Sequence, residues 1–260
     1  MPEGHTLHRL ALDHRRLFAG DVVRVSSPQG RFAAGAAQLD GEVLLGVEAW
    51  GKHLLYEFES SVVLHVHLGL FGRFRRHAQP AAPPRGAVRM RMENETAYVD
   101  LHGPTACELL DAAQRQSLLA RIGPDLLRAD ASKNDAWQRI KASRRAIGAL
   151  LLDQSVVSGV GNVFRAEGLF VAGIHPETPG RELDAPQFTR LWKVLVGMLR
   201  AGVRDRKIIT VKSSRADTPS RRARRTWVYK QQLCERCQEA ITCWELGNRV
   251  IYACENCQRR

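Results

Sequence analysis

Two pairs of cysteines, Cys234-Glu235-Arg236-Cys237 and Cys254-Glu255-Asn256-Cys257, decide how the end of this chain folds. Two thiolate pairs separated by about fifteen residues match a structural zinc site, in which tetrahedral sulfur ligation fixes two turns of a β-hairpin. Since the protein supplies all four ligands, the metal has no open coordination position, and we predict one structural Zn²⁺. Two disulfides are the alternative interpretation.

The net charge of the chain is strongly uneven along its length. The formal charge is +12 over 260 residues, yet residues 1–130 carry 15 basic and 15 acidic side chains. The whole excess therefore lies in the second half. A field of one sign on one part of a protein is typical of proteins that bind polyanions, most often nucleic acid. A merely basic surface is the alternative.

From the residues of this chain, we expect neither a signal peptide nor a membrane span. Charged and polar residues interrupt the first fifteen positions, and no run approaches the roughly 18 apolar residues that a span requires. Paired CxxC cysteines suit a reducing compartment better than a secreted disulfide framework does. We therefore expect a cytoplasmic protein with no membrane partner.

The amino terminus reads Met1-Pro2-Glu3-Gly4. A small residue after Met1 is the usual condition for removal of the initiator methionine, which would leave Pro2 as a free secondary amine. Such an amine can condense with an aldehyde-level carbon to form an iminium. A helix that begins here places its positive end beside Pro2, which disfavours protonation of the amine. Glu3 is then a candidate acid.

Apolar periodicity predicts an α+β protein. A short helix covers Glu3 to about Leu17, and period-two patterns then predict short antiparallel strands of a sandwich or barrel at 22–25, 43–45, 53–58, 62–67 and 88–92. The proline-rich segment 78–84 is predicted to be a surface loop. Helical patterns follow at 135–142, 147–154, 163–168 and 188–203, and a basic run ends at 221–225.

Two further motifs carry candidate functional residues. Gly159-Val160-Gly161-Asn162 lies between helical patterns, so Asn162 suits the cap of a helix whose free N–H groups bind phosphate. A simple turn between packed helices is the alternative. Lys52 opens a strand after Gly51, where an ordinary surface lysine is also expected.

Together these segments resemble the formamidopyrimidine-DNA glycosylase/endonuclease VIII family of base-excision repair enzymes over essentially the full length. The matching stretches are 2–4, 51–52, 67–72, 121–125, 151–162 and 249–258. The resemblance implies a β-sandwich catalytic domain (1–120) led by a short helix, a helix–two-turn–helix DNA-binding domain (121–215) and a zinc-finger hairpin (225–260). We expect a monomer, associated with the nucleoid, that acts on damaged double-stranded DNA without an organic cofactor.

The resemblance also implies a role for each matching residue. Pro2 would attack C1′ of a damaged nucleotide to form a Schiff base, and Glu3 would act as the acid on the sugar. Lys52 would donate a proton during β-elimination and Arg249 during δ-elimination. The residues implied to contact DNA are Arg121 and Asn162, which would hold phosphates, and Leu70 and Phe71, which would fill the gap left by the flipped nucleotide.

Departures from the family patterns favour the endonuclease VIII branch, which acts mainly on oxidised pyrimidines. The formamidopyrimidine branch carries an Asp-Pro-Arg-Arg-Phe-Gly stretch where this chain reads Asp100-Leu101-His102-Gly103-Pro104. Against that, the endonuclease VIII branch usually has Pro-Glu in place of His5-Thr6 and a polar amide in place of Gly69. An oxidised-purine glycosylase and a non-catalytic reader of damaged DNA are the competing hypotheses.

Overall fold

A computed structural model describes residues 2–211 and 225–259, and the chain divides into two units of contacting residues. Unit 1 is Met1–Arg121 and unit 2 is Ile122–Arg260. Most of the basic run 221–225 lies outside the described residues. Within the described part, no helix combines the length and apolarity needed to cross a bilayer.

Unit 1 is built from eight strands and three helices. The helices are α1 (Gly4–Phe18), α2 (Ala33–Leu39) and α3 (Ala112–Ala120). The strands are β1 (Arg24–Ser26), β2 (Leu44–Trp50), β3 (His53–Phe58), β4 (Val63–His67), β5 (Arg73–Ala78), β6 (Val88–Glu93), β7 (Ala97–His102) and β8 (Ala106–Leu110). They form two antiparallel four-stranded sheets, ordered β2-β3-β4-β8 and β1-β6-β7-β5.

One hydrophobic core joins the two sheets of unit 1 and the inner face of α1. Leu7, Ala11 and Phe18 recur on one side of α1 and are buried against residues of both sheets, including Leu54 and Val99. Burial of such apolar stripes is the main favourable contribution to folding. The core therefore holds α1, with the amino terminus that precedes it, against the sheets.

Unit 2 contains four α-helices and a β-hairpin within the described residues. The helices are α4 (Lys133–Lys141), α5 (Ile147–Leu150), α6 (Asn162–Ala172) and α7 (Ala185–Asp205), and the hairpin strands are β9 (Thr242–Glu245) and β10 (Val250–Ala253). α6 packs closely on α7, since a Cβ at Gly168 would lie 2.5 Å from Leu195 Cδ2. The predicted α+β class, with strands first and helices after, is confirmed.

The predicted helix 147–154 is shorter than expected and ends at Leu150. The Asp153 carboxylate accepts hydrogen bonds from the Ser155 backbone N–H (3.1 Å) and hydroxyl (2.6 Å). Such a local side-chain turn competes with helical hydrogen bonding. Residues 151–161 therefore form irregular turns that lead to the start of α6.

Candidate active site and metal centre

The amino terminus of unit 1 places Pro2 and Glu3 at the positive end of α1. Glu3 is the N-cap residue and its side chain is fully buried, whereas Pro2 is partly exposed and precedes the helix. A helix start exposes unpaired N–H groups and a partial positive charge. The predicted nucleophile and acid thus lie next to each other, with Pro2 on the accessible side.

His5 and Thr6 replace the Pro-Glu pair expected from the endonuclease VIII branch. His5 is buried, and its Nε2 lies 3.2 Å from Thr6 Oγ1. Burial lowers the pKa of His5 to about 4. The residue that follows Gly4 is therefore a neutral imidazole near pH 7 and contributes no charge to the surroundings of Pro2.

Lys52 lies at the tip of the β2–β3 hairpin. Trp50 pairs with His53, so Gly51 and Lys52 form a two-residue loop. Gly51 has a φ of 58°, in the left-handed region that glycine favours. The loop holds the partly exposed Lys52 at the end of two strands that are anchored in the core.

A histidine cluster lies beside Lys52 on the sheet that contains β3, β4 and β8. His53 Nδ1 is 2.9 Å from His65 Nε2, and His65 Nδ1 is 2.9 Å from Glu108 Oε1. Burial, assisted by the charges of His67, His65, Arg121 and Lys52, lowers the pKa of His53 to about 3.

This cluster shows that two predicted site residues, Lys52 and Arg121, lie within electrostatic reach of one imidazole. Arg121 is exposed at the carboxyl end of α3 and, with His65 and Glu108, lines a cavity of 350 Å³. The histidines were not predicted as site residues. Their recurrence at positions 53, 65 and 67 on two adjacent predicted strands was the available signal.

The β4–β5 loop exposes two apolar side chains. Leu70 is 44% and Phe71 78% exposed, whereas Leu68 beside them is buried. A hydrogen bond of 2.9 Å from the Gly72 N–H to the Leu68 carbonyl closes the loop. Exposed apolar side chains on a tight, closed loop have the form of a wedge that inserts between bases.

Asn162 does not cap α6, so the predicted capping role is wrong. Gly161 is the N-cap residue, and Asn162 is the first residue of the helix. Its Nδ2 donates to the Val250 carbonyl (2.9 Å), and its Oδ1 accepts from Arg165 Nη2 (2.5 Å). The amide is engaged by the hairpin and therefore is not available to the helix end.

Arg165 links α6 to the hairpin and was missed from the sequence. Its side chain is fully buried and donates to the carbonyls of Leu246 (2.8 Å), Arg249 (3.3 Å) and Val250 (3.2 Å). A buried charge is tolerated when several hydrogen bonds to carbonyl groups replace its contacts with water. Arg165 therefore fixes the backbone on both sides of the hairpin turn.

Glu167, two residues later on α6, holds the other end of the hairpin region. This fully buried carboxylate accepts backbone N–H bonds from Trp227 (2.7 Å), Val228 (2.9 Å) and Tyr229 (2.8 Å), and the Thr210 hydroxyl also donates to it. The sequence feature that could have identified Arg165 and Glu167 is their pair of opposite charges within a largely apolar predicted helix, 162–172.

Arg249 is exposed at the turn between β9 and β10. Gly247 and Asn248 at the centre of this turn have φ values of 64° and 58°. Two consecutive positive φ values are typical of the tight turn that matches the twist of a hairpin. Asn162 and Arg249 are thus brought to the same region, since Arg165 contacts both.

The four predicted metal ligands form one cluster. The sulfur atoms of Cys234, Cys237, Cys254 and Cys257 all lie within 4.8 Å of one another, with separations of 3.4, 3.7 and 3.8 Å among them. A tetrahedral ion with Zn–S bonds of about 2.3 Å requires sulfur atoms about 3.8 Å apart. The thiols are free, so the cluster can bind a metal ion and the disulfide alternative is not supported.

Comparison with known proteins matches both units to one family. Residues 1–107 match the formamidopyrimidine-DNA glycosylase N-terminal domain, and residues 122–213 match the formamidopyrimidine-DNA glycosylase H2TH domain. Endonuclease 8 1 of Mycobacterium tuberculosis is 47% identical, with 99% of this chain and 100% of that protein covered. Formamidopyrimidine-DNA glycosylase of Methylococcus capsulatus is 31% identical, with 100% and 99% covered.

The fold is also that of solved structures in the same group. Lactococcus lactis Fpg in complex with DNA containing N7-benzyl-Fapy-dG has a TM-score of 0.83 at 22% identity, with both chains covered in full. Fold, terminal site and relatives together define a DNA-repair glycosylase with AP lyase activity. The chain belongs to the formamidopyrimidine-DNA glycosylase/endonuclease VIII family.

Proposed function

We propose that this protein removes oxidised bases, mainly pyrimidines, from damaged double-stranded DNA through a Schiff base on Pro2. The observation that carries the proposal is the position of Pro2, which is accessible and directly precedes the buried Glu3 at the start of α1. The mechanism requires removal of Met1, because the nitrogen of an acylated proline is not a nucleophile.

The positions of the side chains support the other proposed catalytic roles. Glu3 acts as the acid on the sugar when the base departs. Lys52, on a fixed hairpin tip, supplies a proton during β-elimination, and Arg249, on the turn fixed by Arg165, does so during δ-elimination. Together these steps would excise the lesion and break the strand on both sides of it.

DNA binding is divided between the two parts of the chain in this proposal. Residues 1–120 perform the chemistry, and 121–215 with 225–260 supply most phosphate contacts. Arg121 is exposed and free to reach a phosphate, and Asn162 retains one amide hydrogen beyond its bond to Val250. Leu70 and Phe71 fill the gap after the damaged nucleotide flips out.

The cysteine cluster is proposed to bind one Zn²⁺ with a structural role. Four thiolates at tetrahedral spacing are the ligand set typical of structural zinc, and four protein ligands leave no position for substrate. The ion would hold the hairpin that carries Arg249. We further propose that the protein works as a monomer on the nucleoid, where its substrate lies.

The preference for pyrimidines rests on the β7–β8 connection. Only Gly103, Pro104 and Thr105 separate these strands, so no arginine or phenylalanine is available there to fill the duplex. A panel of duplexes with one lesion each would test this. Faster excision of oxidised pyrimidines supports the proposal, and faster excision of 8-oxoguanine or formamidopyrimidines favours the purine alternative.

Borohydride trapping tests the proposed nucleophile. We expect a covalent adduct with abasic DNA, located at Pro2 by mass spectrometry, because only an iminium is reduced to a stable bond. Pro2→Gly should trap more weakly through a primary amine, and one added amino-terminal residue should abolish trapping. An adduct on Lys52 would overturn the assignment, and a protein that traps nothing would behave as the non-catalytic reader.

A further inference from the structure

The outer face of the β1-β6-β7-β5 sheet carries a basic cavity that the proposed catalytic roles do not use. Its volume is 290 Å³. Six side chains with donor groups line it, and one carboxylate, that of Asp100, lies among them. The six are Arg75, His77, Arg85, Arg91, Tyr98 and His102.

The floor of this cavity is a buried ion pair. Arg91 donates through Nε (2.7 Å) and Nη2 (2.8 Å) to the two carboxylate oxygens of Asp100, and both residues are buried. The guanidinium also lies 4.4 Å from the centre of the Tyr98 ring. Such a bidentate pair neutralises the only acid of the cavity, so the remaining cations have no counter-charge within its lining.

The loop 79–87 forms one wall, and the sheet anchors it. Arg91 Nη1 donates to the Ala82 carbonyl (2.7 Å), and the Ala82 N–H lies 3.3 Å from the Tyr98 hydroxyl. Three prolines within the loop restrict its backbone further. The anchored loop brings Arg85 to the cavity at a low entropic cost of binding.

Two arginines of the cavity are without ion pairs among the described residues. Arg75 and Arg85 are exposed, and no carboxylate of residues 2–211 or 225–259 pairs with either. Their charge acts on the cavity, because burial and then the neighbouring Arg75 lower the pKa of His102. The cavity therefore presents convergent positive charge that attracts an anion.

The positive charge of this cavity is local, although residues 1–130 have no net charge. Residues 60–92 contain six arginines and no acidic residue, while the acids of that half lie elsewhere. The basic group is therefore local. Its side chains lie mainly on β5, β6 and the loop between them.

The exposed wedge of Leu70 and Phe71 lies on the loop that leads into β5, one of the strands that line the cavity. β5 begins two residues after Phe71, and β7 ends at His102, immediately before Gly103. A Cβ placed at Gly103 would lie 3.9 Å from the Phe71 carbonyl, so the two loops adjoin. A duplex that the wedge entered would therefore lie next to the ends of β5 and β7.

We propose that the cavity binds a backbone phosphate of the DNA into which the wedge inserts, through Arg75 and Arg85. This inference rests on the proposed function, since it takes the Leu70–Phe71 loop as the inserting element. Guanidinium groups bind phosphate oxygens with good geometry, and Arg91 acts only as a positioning residue for the loop. The site adds one phosphate contact from the half of the chain that is neutral overall.

The first test is the salt dependence of binding to a duplex with a tetrahydrofuran abasic analogue. Arg75→Ala and Arg85→Ala should each weaken binding, and the double variant should lower the slope of log affinity against log salt by about one unit, because one phosphate contact is lost. Arg76→Ala is the matched control, because it removes the same charge from the same exposed strand without lining the cavity. An equal effect of Arg76→Ala would show a diffuse field and overturn the site.

The second test separates a DNA phosphate from a small free anion. The imidazole NMR signals of His77 and His102 should shift on adding the duplex, and inorganic phosphate alone should shift them only at millimolar concentration or above. Saturation by micromolar phosphate, with no shift caused by DNA, would overturn the proposal. Borohydride trapping by the variants should persist at saturating protein; if the parent traps nothing, the proposed function fails instead.

Discussion

Gly69 and Gly72 determine the shape of the exposed wedge. Gly69 has a φ of 62°, and a Cβ there would lie 1.9 Å from Thr105 Oγ1; at Gly72 it would lie 2.2 Å from the Leu68 carbonyl oxygen. A side chain at position 69 would therefore force the Thr105 side chain to move and would adopt a strained positive φ. If this loop enters DNA as proposed, residue 69 offers no side chain to the base opposite the lesion, and Leu70 and Phe71 are the exposed side chains beside it.

Glu3→Gln should separate the two activities. We expect base excision to fall by about 10²–10⁴-fold, the usual contribution of a general acid, because the amide cannot donate a carboxylic proton. Cleavage of a pre-formed abasic site should fall by far less, since no base has to leave. Single-turnover rates on both substrates measure this, and equal losses would contradict the role of Glu3.

At the scale of elements, the hairpin β9–β10 depends on the cysteine cluster. Cys254→Ser should release the metal, because a hydroxyl binds the metal ion much more weakly than a thiolate does. A chromogenic chelator measures the released metal. Arg249 should then lose its fixed position. The loss of one charge-assisted contact, about 1.5–3 kcal/mol, corresponds to roughly 10–150-fold weaker DNA binding.

Cys243→Ser is the control for that experiment, because Cys243 is exposed on β9 outside the cluster. It should retain metal and affinity. Circular dichroism and proteolysis should show unit 1 intact in both variants. Metal-free protein that cleaved abasic DNA at the normal rate would rule out this role of the hairpin.

Helix α1 carries a pH-dependent contact with β3. His14 is buried, its Nδ1 lies 2.7 Å from the Tyr56 hydroxyl, and burial lowers its pKa to about 4. The unfolded chain, with an ordinary histidine pKa near 6.5, binds the proton more readily. The contribution is therefore complete above about pH 6.5 and decreases as the pH falls toward 4.

His14→Gln should flatten this dependence by an amount on the order of 3 kcal/mol between pH 6.5 and 4. Urea unfolding at several pH values measures the free energy of unfolding. His8→Gln, on the same helix but partly exposed, is the matched control. An unchanged pH slope in the His14 variant would contradict the assignment.

Secondary structure could be predicted from the sequence where an element has one apolar face. The prediction failed for strands whose burial does not alternate between two faces. β5 was missed because Arg-Phe-Arg-Arg-His-Ala lies at a sheet edge with almost no buried side chain. β7 was missed because it is buried on both faces, with Asp100 satisfied by Arg91. The metal ligands followed from spacing alone, whereas Arg165 and Glu167 depend on partners about 40 to 85 residues away.

At the scale of the whole molecule, the distribution of charge predicts how DNA is bound. The net +12 lies beyond residue 130, so log affinity should fall steeply with log salt, by about 0.9 per phosphate neutralised. Arg121→Ala or Arg249→Ala should each lower this slope by about one unit with little change in lesion preference. Fluorescence anisotropy at several salt concentrations measures it.

Wedge variants should behave in the opposite way. Leu70→Ala and Phe71→Ala should reduce activity on intact lesions yet keep the slope of the parent, because apolar contacts release no counterions. The proposed division of labour would be wrong if wedge variants flattened the slope. It would also be wrong if arginine variants changed lesion choice and left the slope untouched.

The two buried charges of α6 bear on when the protein can fold as it is synthesised. Arg165 reaches final acceptors at Leu246, Arg249 and Val250, and Glu167 reaches donors at Trp227, Val228 and Tyr229. A buried ion without its partners costs about 3–5 kcal/mol. α6 therefore cannot reach its final packing until residues 227–250 have left the ribosome, so unit 2 should complete its folding late in synthesis. A truncation that removes the hairpin should leave Arg165 inside α6 without its acceptors.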